Sequence, residues 1–284
     1  MLRICNRMAT LATTIALLVV LAGCSANETT TTTTEPVPLR FPGDSVDDVV
    51  VVGEKASSSI SVAAAANIRD ALERLQPALE DACESDITFV FGSSGRLRMQ
   101  VLAGARFGLF LSADIAFTEE VFQKGFVVPD GAGAYGIGRL ALIWRNGVDP
   151  PAALGSLSDA SFGTIAIANP SHAPYGRAAS EALSKVGVLD AVEDRLVLGD
   201  NARQAVDYAE TGNADAALVA LALVVNTGRP FQVIESTLHE PILQTGAVIK
   251  GTGAELTGRC ILQYLLDPEG QTFLSDFGFE VARR

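Results

Sequence analysis

Apolar positions along most of the chain alternate between two rhythms. Short continuous apolar runs are followed by stretches in which leucine, valine or alanine returns every three or four residues. Residues 60–65 (ISVAAA) form the first run, and residues 68–79 then carry Leu72, Leu75 and Leu79 on one helical face. Residues 87–91 (ITFVF) predict a second strand, 96–105 (RLRMQVLAGA) a second helix and 108–114 (GLFLSAD) a third strand. After 135–144 (YGIGRLALIW) the pattern restarts. It gives 164–170 (TIAIANP), helices at about 177–186 and 202–211, and the apolar run 216–225 (AALVALALVV). The last third holds 240–250 (EPILQTGAVIK), a helical pattern at 255–266 and a short final helix, 271–279.

Buried strands alternating with helices of this length predict parallel sheets in an α/β fold. The restart predicts a second α/β unit inserted within the first. One lobe then comprises 57–137 plus 237–284 and the other 138–236, with crossing segments near Ile137 and Glu235. A ligand cleft lies between the two lobes.

In open sheets of this kind, ligands collect beyond the carboxyl ends of the strands. Four loops fall there: 65–67, 92–95 (GSSG), 169–176 and 200–202. Each leads to an expected helix start, where backbone N–H groups lack intrahelical partners and the helix dipole is positive. Asn67 and Ser94 offer side chains that either cap a helix or donate to a ligand. Taken singly, such residues are ordinary N-caps. Four of them converging on one cleft make an anion site that needs no Lys or Arg.

The ends and the charge narrow the function classes. Arg3 and Arg7 precede an apolar run that ends at Cys24, too short to span a bilayer comfortably and laid out like a secretory signal. Leu21-Ala22-Gly23-Cys24 resembles a bacterial lipobox, which predicts a signal peptide at 1–23 and a lipid on Cys24 that holds the chain to a membrane. Residues 25–38 are Thr-rich and nearly devoid of apolar side chains, so 24–56 reads as a lipidated flexible tether. Without residues 1–23 the chain has 19 basic and 33 acidic side chains, a net charge of −14. So acidic a protein has no electrostatic footprint for nucleic acid. Of the four cysteines, Cys83 and Cys260 remain in the folded part. Outside the cytoplasm they either pair or stay as two buried thiols.

Other chemistries fit less well. Residues 131–136 match G-x-G-x-x-G, but they precede a strand instead of linking strand to helix, so the dinucleotide reading is discarded. The two histidines, His172 and His239, and the scattered cysteines make no zinc site. Ser94 with His172 across the cleft is the one hydrolase arrangement to consider, yet no G-x-S-x-G elbow frames Ser94.

The segments VAAAANIRDAL, FGSSGRL, LFLSAD, YGIGRLALIW, AIANPSHAPYGRAASEAL, GNADAALVALALV and EPILQTGAVIK follow one another over roughly residues 60–279. Their order resembles the extracytoplasmic molybdate-binding proteins of ABC transporters. The resemblance implies two lobes closing on a tetrahedral oxyanion, molybdate or tungstate, with no catalysis and no resident cofactor. It implies an oxyanion set of Ala66, Asn67, Ser93, Ser94, Tyr175 and Ala202, all uncharged. It also implies a monomeric carrier whose partner is a membrane permease. Two positions depart from parts of the family: Ala220 stands where one branch has a tyrosine, and Ala66 where some relatives have a hydroxyl. The runner-up is a solute-binding lipoprotein for another tetrahedral oxyanion or small ligand.

Overall fold

The computed structural model describes residues 57–282. The signal-like segment, Cys24 and the tether lie outside the described residues. In chain order the first part gives β1 (Ser59–Ala65), α1 (Arg69–Cys83), β2 (Asp86–Gly92), α2 (Ser94–Leu102), β3 (Leu109–Ser112), α3 (Ile115–Gln123) and β4 (Val127–Gly138). The middle gives β5 (Leu140–Trp144), β6 (Ile165–Ala168), α4 (Pro174–Lys185), α5 (Leu189–Val192), β7 (Leu196–Gly199), α6 (Ala202–Glu210), β8 (Ala216–Ala220) and β9 (Gln232–Val233). The chain closes with β10 (Ile242–Ile249), α7 (Glu255–Leu266) and α8 (Pro268–Asp276). Two five-stranded sheets result, ordered β2-β1-β3-β10-β4 in the first lobe and β7-β6-β8-β5-β9 in the second.

The sheets are mixed, which corrects the expectation of parallel ones. β1 pairs with β2 and β3 in parallel, and β6 with β7 and β8. β10 runs antiparallel to both β3 and β4, and β5 antiparallel to β8 and β9. β5 and β10 are each reached from the other sheet without a helical crossover, so their direction is free of the βαβ rule. Strands buried on both faces carry the same apolar signal whichever way they run.

Several boundaries also differ from the hydropathy reading. Residues 135–144 divide at Arg139 into β4 and β5, which belong to different sheets. Only 216–220 of the later apolar run is strand, and 221–223 forms a turn of 3₁₀ helix. The glycine-rich 131–136 lies within β4 itself and not ahead of a strand. α3 is a further helix, started by Asp114, whose carboxylate accepts from the Ala116 N–H at 2.9 Å. α4 begins three residues early, at Pro174, so Tyr175 and Gly176 sit in its first turn.

Packing follows the strand period. In the first lobe Val62, Ala64, Leu109 and Leu111 face α1 and α7, while Ala63 and Phe110 face α2 and α3. Leu72, Leu75 and Leu79 deliver α1 to that first face. One continuous core fills the second lobe around Ile165, Ile167, Leu218 and Val219. Cys83 at the end of α1 and Cys260 in α7 are joined by a disulfide, with their Cα atoms 5.8 Å apart.

Candidate functional site

The carboxyl ends of β1 and β2 and the residue after β3 meet the first turns of α4 and α6. Between them lies a small cavity, lined by Ala65, Ala66, Asn67, Gly92, Ser93, Ser94 and Ala113 from one side. Ala173, Pro174, Tyr175 and Ala202 line the other. The structure thus brings Ala66, Asn67, Ser93, Ser94, Tyr175 and Ala202 together around one cavity. Asn67, Ser93, Ser94 and Tyr175 are all buried.

Ser94, Asn67 and Tyr175 each carry a proton that could be offered to a ligand. Ser94 Oγ accepts the Ala113 N–H at 3.0 Å, which leaves its own O–H to donate. Asn67 is no helix cap. Its Nδ2 donates to Gln244 Oε1 at 2.8 Å, and Gln244 Nε2 donates in turn to the Ile242 carbonyl at 2.9 Å. That chain fixes which end of each amide faces which way. Tyr175 is fully enclosed, and its phenol oxygen has no hydrogen-bond partner among the described residues. Burial lifts the Tyr175 pKa far above the ordinary phenol value; the neighbouring Asn67 amide opposes this only weakly. The phenol therefore stays a donor across the physiological range.

Two glycines make the geometry possible. A Cβ on Gly176 would lie 2.0 Å from the Ala168 carbonyl oxygen, so only glycine lets the first turn of α4 close onto the end of β6. A Cβ on Gly95 would lie 2.8 Å from the His172 carbonyl oxygen, which instead accepts the Gly95 N–H at 3.0 Å. Gly95 thereby carries a main-chain bond from α2 to the opposite lobe.

The remaining sequence candidates fall elsewhere. Asn201 caps α6, accepting from the N–H groups of Arg203 and Gln204, and Asn169 accepts from Ser171 within its own loop. Asp200 pairs with Arg96. Ala220, fully buried at the end of β8, is not part of the cavity wall. The hydrolase arrangement of Ser94 with His172 does not form: His172 Nδ1 meets Ser93 Oγ at 2.9 Å, while Ser94 is bonded to Ala113. Gln244 and the pairing of Arg96 with Asp200 escape a reading of the sequence, which also sets His172 against Ser94 and not Ser93. Their partners lie tens to hundreds of residues away, and no local spacing marks them.

The family described as bacterial extracellular solute-binding protein matches residues 60–280. The molybdate-binding protein ModA of Rhodobacter capsulatus is 30% identical over 227 residues, spanning 79% of this chain and 89% of that protein. The periplasmic molybdate-binding protein of Azotobacter vinelandii superposes with a TM-score of 0.73 at 27% identity, covering 79% of this chain and 100% of that one. The sulfate-binding protein SubI of Mycobacterium tuberculosis shares the fold, with a TM-score of 0.67 at 13% identity over 80% of this chain and 88% of its own.

Proposed function

The chain belongs to the bacterial extracellular solute-binding proteins, and on that premise we propose that it captures molybdate or tungstate outside the cytoplasmic membrane. It then hands the anion to the permease of an ABC transporter. The observation that carries this reading is the cavity of uncharged donors: two serine hydroxyls, a carboxamide N–H and a buried phenol without a partner among the described residues, gathered at helix starts of two lobes. A fully ionised dianion can accept from every one of them, and exclusion of water strengthens each bond. Ala66 and Ala202 enter through backbone N–H groups. The lobes comprise 57–137 plus 237–284 and 138–236. The protein works as a monomer, holds no resident cofactor and turns over no substrate.

Lipid on Cys24 anchors the carrier to the membrane, and 25–56 tether the lobes to it. Labelled palmitate incorporated by the wild type and not by Cys24→Ser supports the anchor, and equal labelling of both contradicts it. The binding function is tested by a thermal-shift series with molybdate, tungstate, sulfate and phosphate. A ligand at a hundred times its dissociation constant stabilises the fold by about 2.7 kcal/mol, a readily measured shift. A shift with molybdate and tungstate supports the reading; none with either overturns it.

A further inference from the structure

His172 sits in the second lobe, two residues before α4, yet both its main chain and its side chain engage the opposite lobe. Its carbonyl oxygen accepts the Gly95 N–H at 3.0 Å, and its Nδ1 lies 2.9 Å from Ser93 Oγ. Ser93 is the residue before α2 and would ordinarily turn its hydroxyl onto that helix's first amides. It makes no such cap bond, and one of those amides, from Gly95, is already taken by His172. The Ser93 hydroxyl therefore answers to the imidazole on one side and to the cavity on the other.

The imidazole's other nitrogen decides which way the proton points. Nε2 is buried with no hydrogen-bond partner among the described residues. A neutral ring carries one N–H, and burying that N–H unpaired costs more than burying a bare lone pair. The proton accordingly sits on Nδ1, where it donates to Ser93 Oγ. Ser93, accepting from His172 on one lone pair, can then only direct its own O–H away from the ring. We propose that His172 is a positioning residue for anion capture: on closure it turns the Ser93 hydroxyl into a donor facing the cavity. Burial first, and the nearby Arg96 guanidinium second, lower the His172 pKa, while Asp200 raises it. The net effect keeps the ring neutral and in keeping with this arrangement. Arg96 and Asp200 are the charged groups that face it, one from each lobe, and they are paired with each other.

The inference rests on the anion-binding reading, and one calorimetric series separates the two. Sodium molybdate is titrated into the purified full-length wild type and into Ser93→Ala, His172→Phe, His172→Asn and the Ser93→Ala/His172→Phe double variant. Ligand-free melting curves accompany each titration. Phe keeps the ring without its nitrogens, and Asn keeps an N–H close to the place of Nδ1. The expected result is a loss of about tenfold in affinity for His172→Phe and for Ser93→Ala, the size of one hydrogen bond. The double variant should lose no more than Ser93→Ala alone, and His172→Asn should bind within about threefold of wild type, less than half of one such bond. If His172→Phe does not fold, His172→Ala takes its place in the cycle. Unchanged affinity in His172→Phe, losses that add in the double variant, or no rescue by Asn overturns the role of His172 alone. Wild type that binds neither molybdate nor tungstate overturns the proposed function and this inference with it.

Discussion

Arg96 and Asp200 face each other from opposite lobes in a two-pronged ion pair, Nη1 to Oδ2 at 3.0 Å and Nη2 to Oδ1 at 2.9 Å. Arg177 pairs with Asp114 across the same gap, and Arg203 approaches Asp70 at 3.9 Å. These pairs surround the closed cavity and bias the lobes toward each other. Arg96 and Asp200 keep 49% and 58% of their side-chain surface in solvent, so the pair is worth about 0–1 kcal/mol. Arg96→Gln should raise the dissociation rate of molybdate about two- to fivefold while leaving association nearly unchanged. Stopped-flow measurement at low and high salt checks this, and the difference between the variant and wild type should shrink as salt screens the pair.

Tyr175 contributes a donor that finds no acceptor among the described residues. Tyr175→Phe should therefore weaken molybdate binding by about ten- to a hundredfold, the range of a hydrogen bond to a charged group. The ligand-free melting temperature should stay the same or rise slightly. The pH dependence follows from the raised phenol pKa. Tyr175 and the equally buried Tyr135 both titrate above their ordinary value of 10.0 in the folded state. Stability from these two is fully present below pH 10 and is lost as pH rises beyond it, because the unfolded chain ionises first. Urea unfolding followed from pH 8 to 11 should show that loss, and Tyr175→Phe should lessen it.

Gly138 ends β4 where the chain crosses between sheets, and a Cβ there would lie 2.1 Å from the Tyr175 phenol oxygen and 2.9 Å from Gln244 Nε2. Gly138→Ala should displace the phenol and disturb the amide pair that orients Asn67. The expected outcome is a loss of affinity comparable to that of Tyr175→Phe, with about 1–3 kcal/mol of destabilisation from overpacking. Calorimetry and chemical denaturation measure the two effects separately.

The Cys83–Cys260 bridge spans 177 residues of sequence within the first lobe and lies away from the cavity wall. Removing both cysteines should cost about 2–5 kcal/mol of stability. Anion affinity in the folded protein should change little. Melting curves and titrations of Cys83→Ala/Cys260→Ala check both halves of that statement.

What could be read from the sequence was what periodicity and local spacing encode. The helix at 255–266 shows in its amphipathic pattern, and the four cleft loops show as small or polar residues between strand and helix patterns. Ser94 is found that way, by its place at a helix start, and Tyr175 by likeness to relatives. The direction of β10 is not legible, because a doubly buried strand such as ILQTGAVI has no polarity in its hydropathy. The break at Arg139 is hidden inside a continuous apolar stretch and appears only once β4 and β5 join different sheets. His172 with Ser93, Gln244 with Asn67 and Arg96 with Asp200 are 79, 177 and 104 residues apart. Only the closed arrangement of the lobes makes partners of them.

On the proposed function, a cavity of neutral donors should select a fully ionised tetrahedral dianion. Near neutral pH a monoprotonated phosphate brings its own O–H, which must find an acceptor among Asn67, Ser93, Ser94 and Tyr175. Leaving that proton unpaired costs about 1–3 kcal/mol, or roughly fivefold to more than a hundredfold in affinity. Isothermal titration of wild type with molybdate and with phosphate at pH 7 tests this most directly. The account predicts saturable one-to-one binding of molybdate and phosphate weaker by about tenfold or more. Equal affinities for the two anions, or no binding of molybdate, would contradict it.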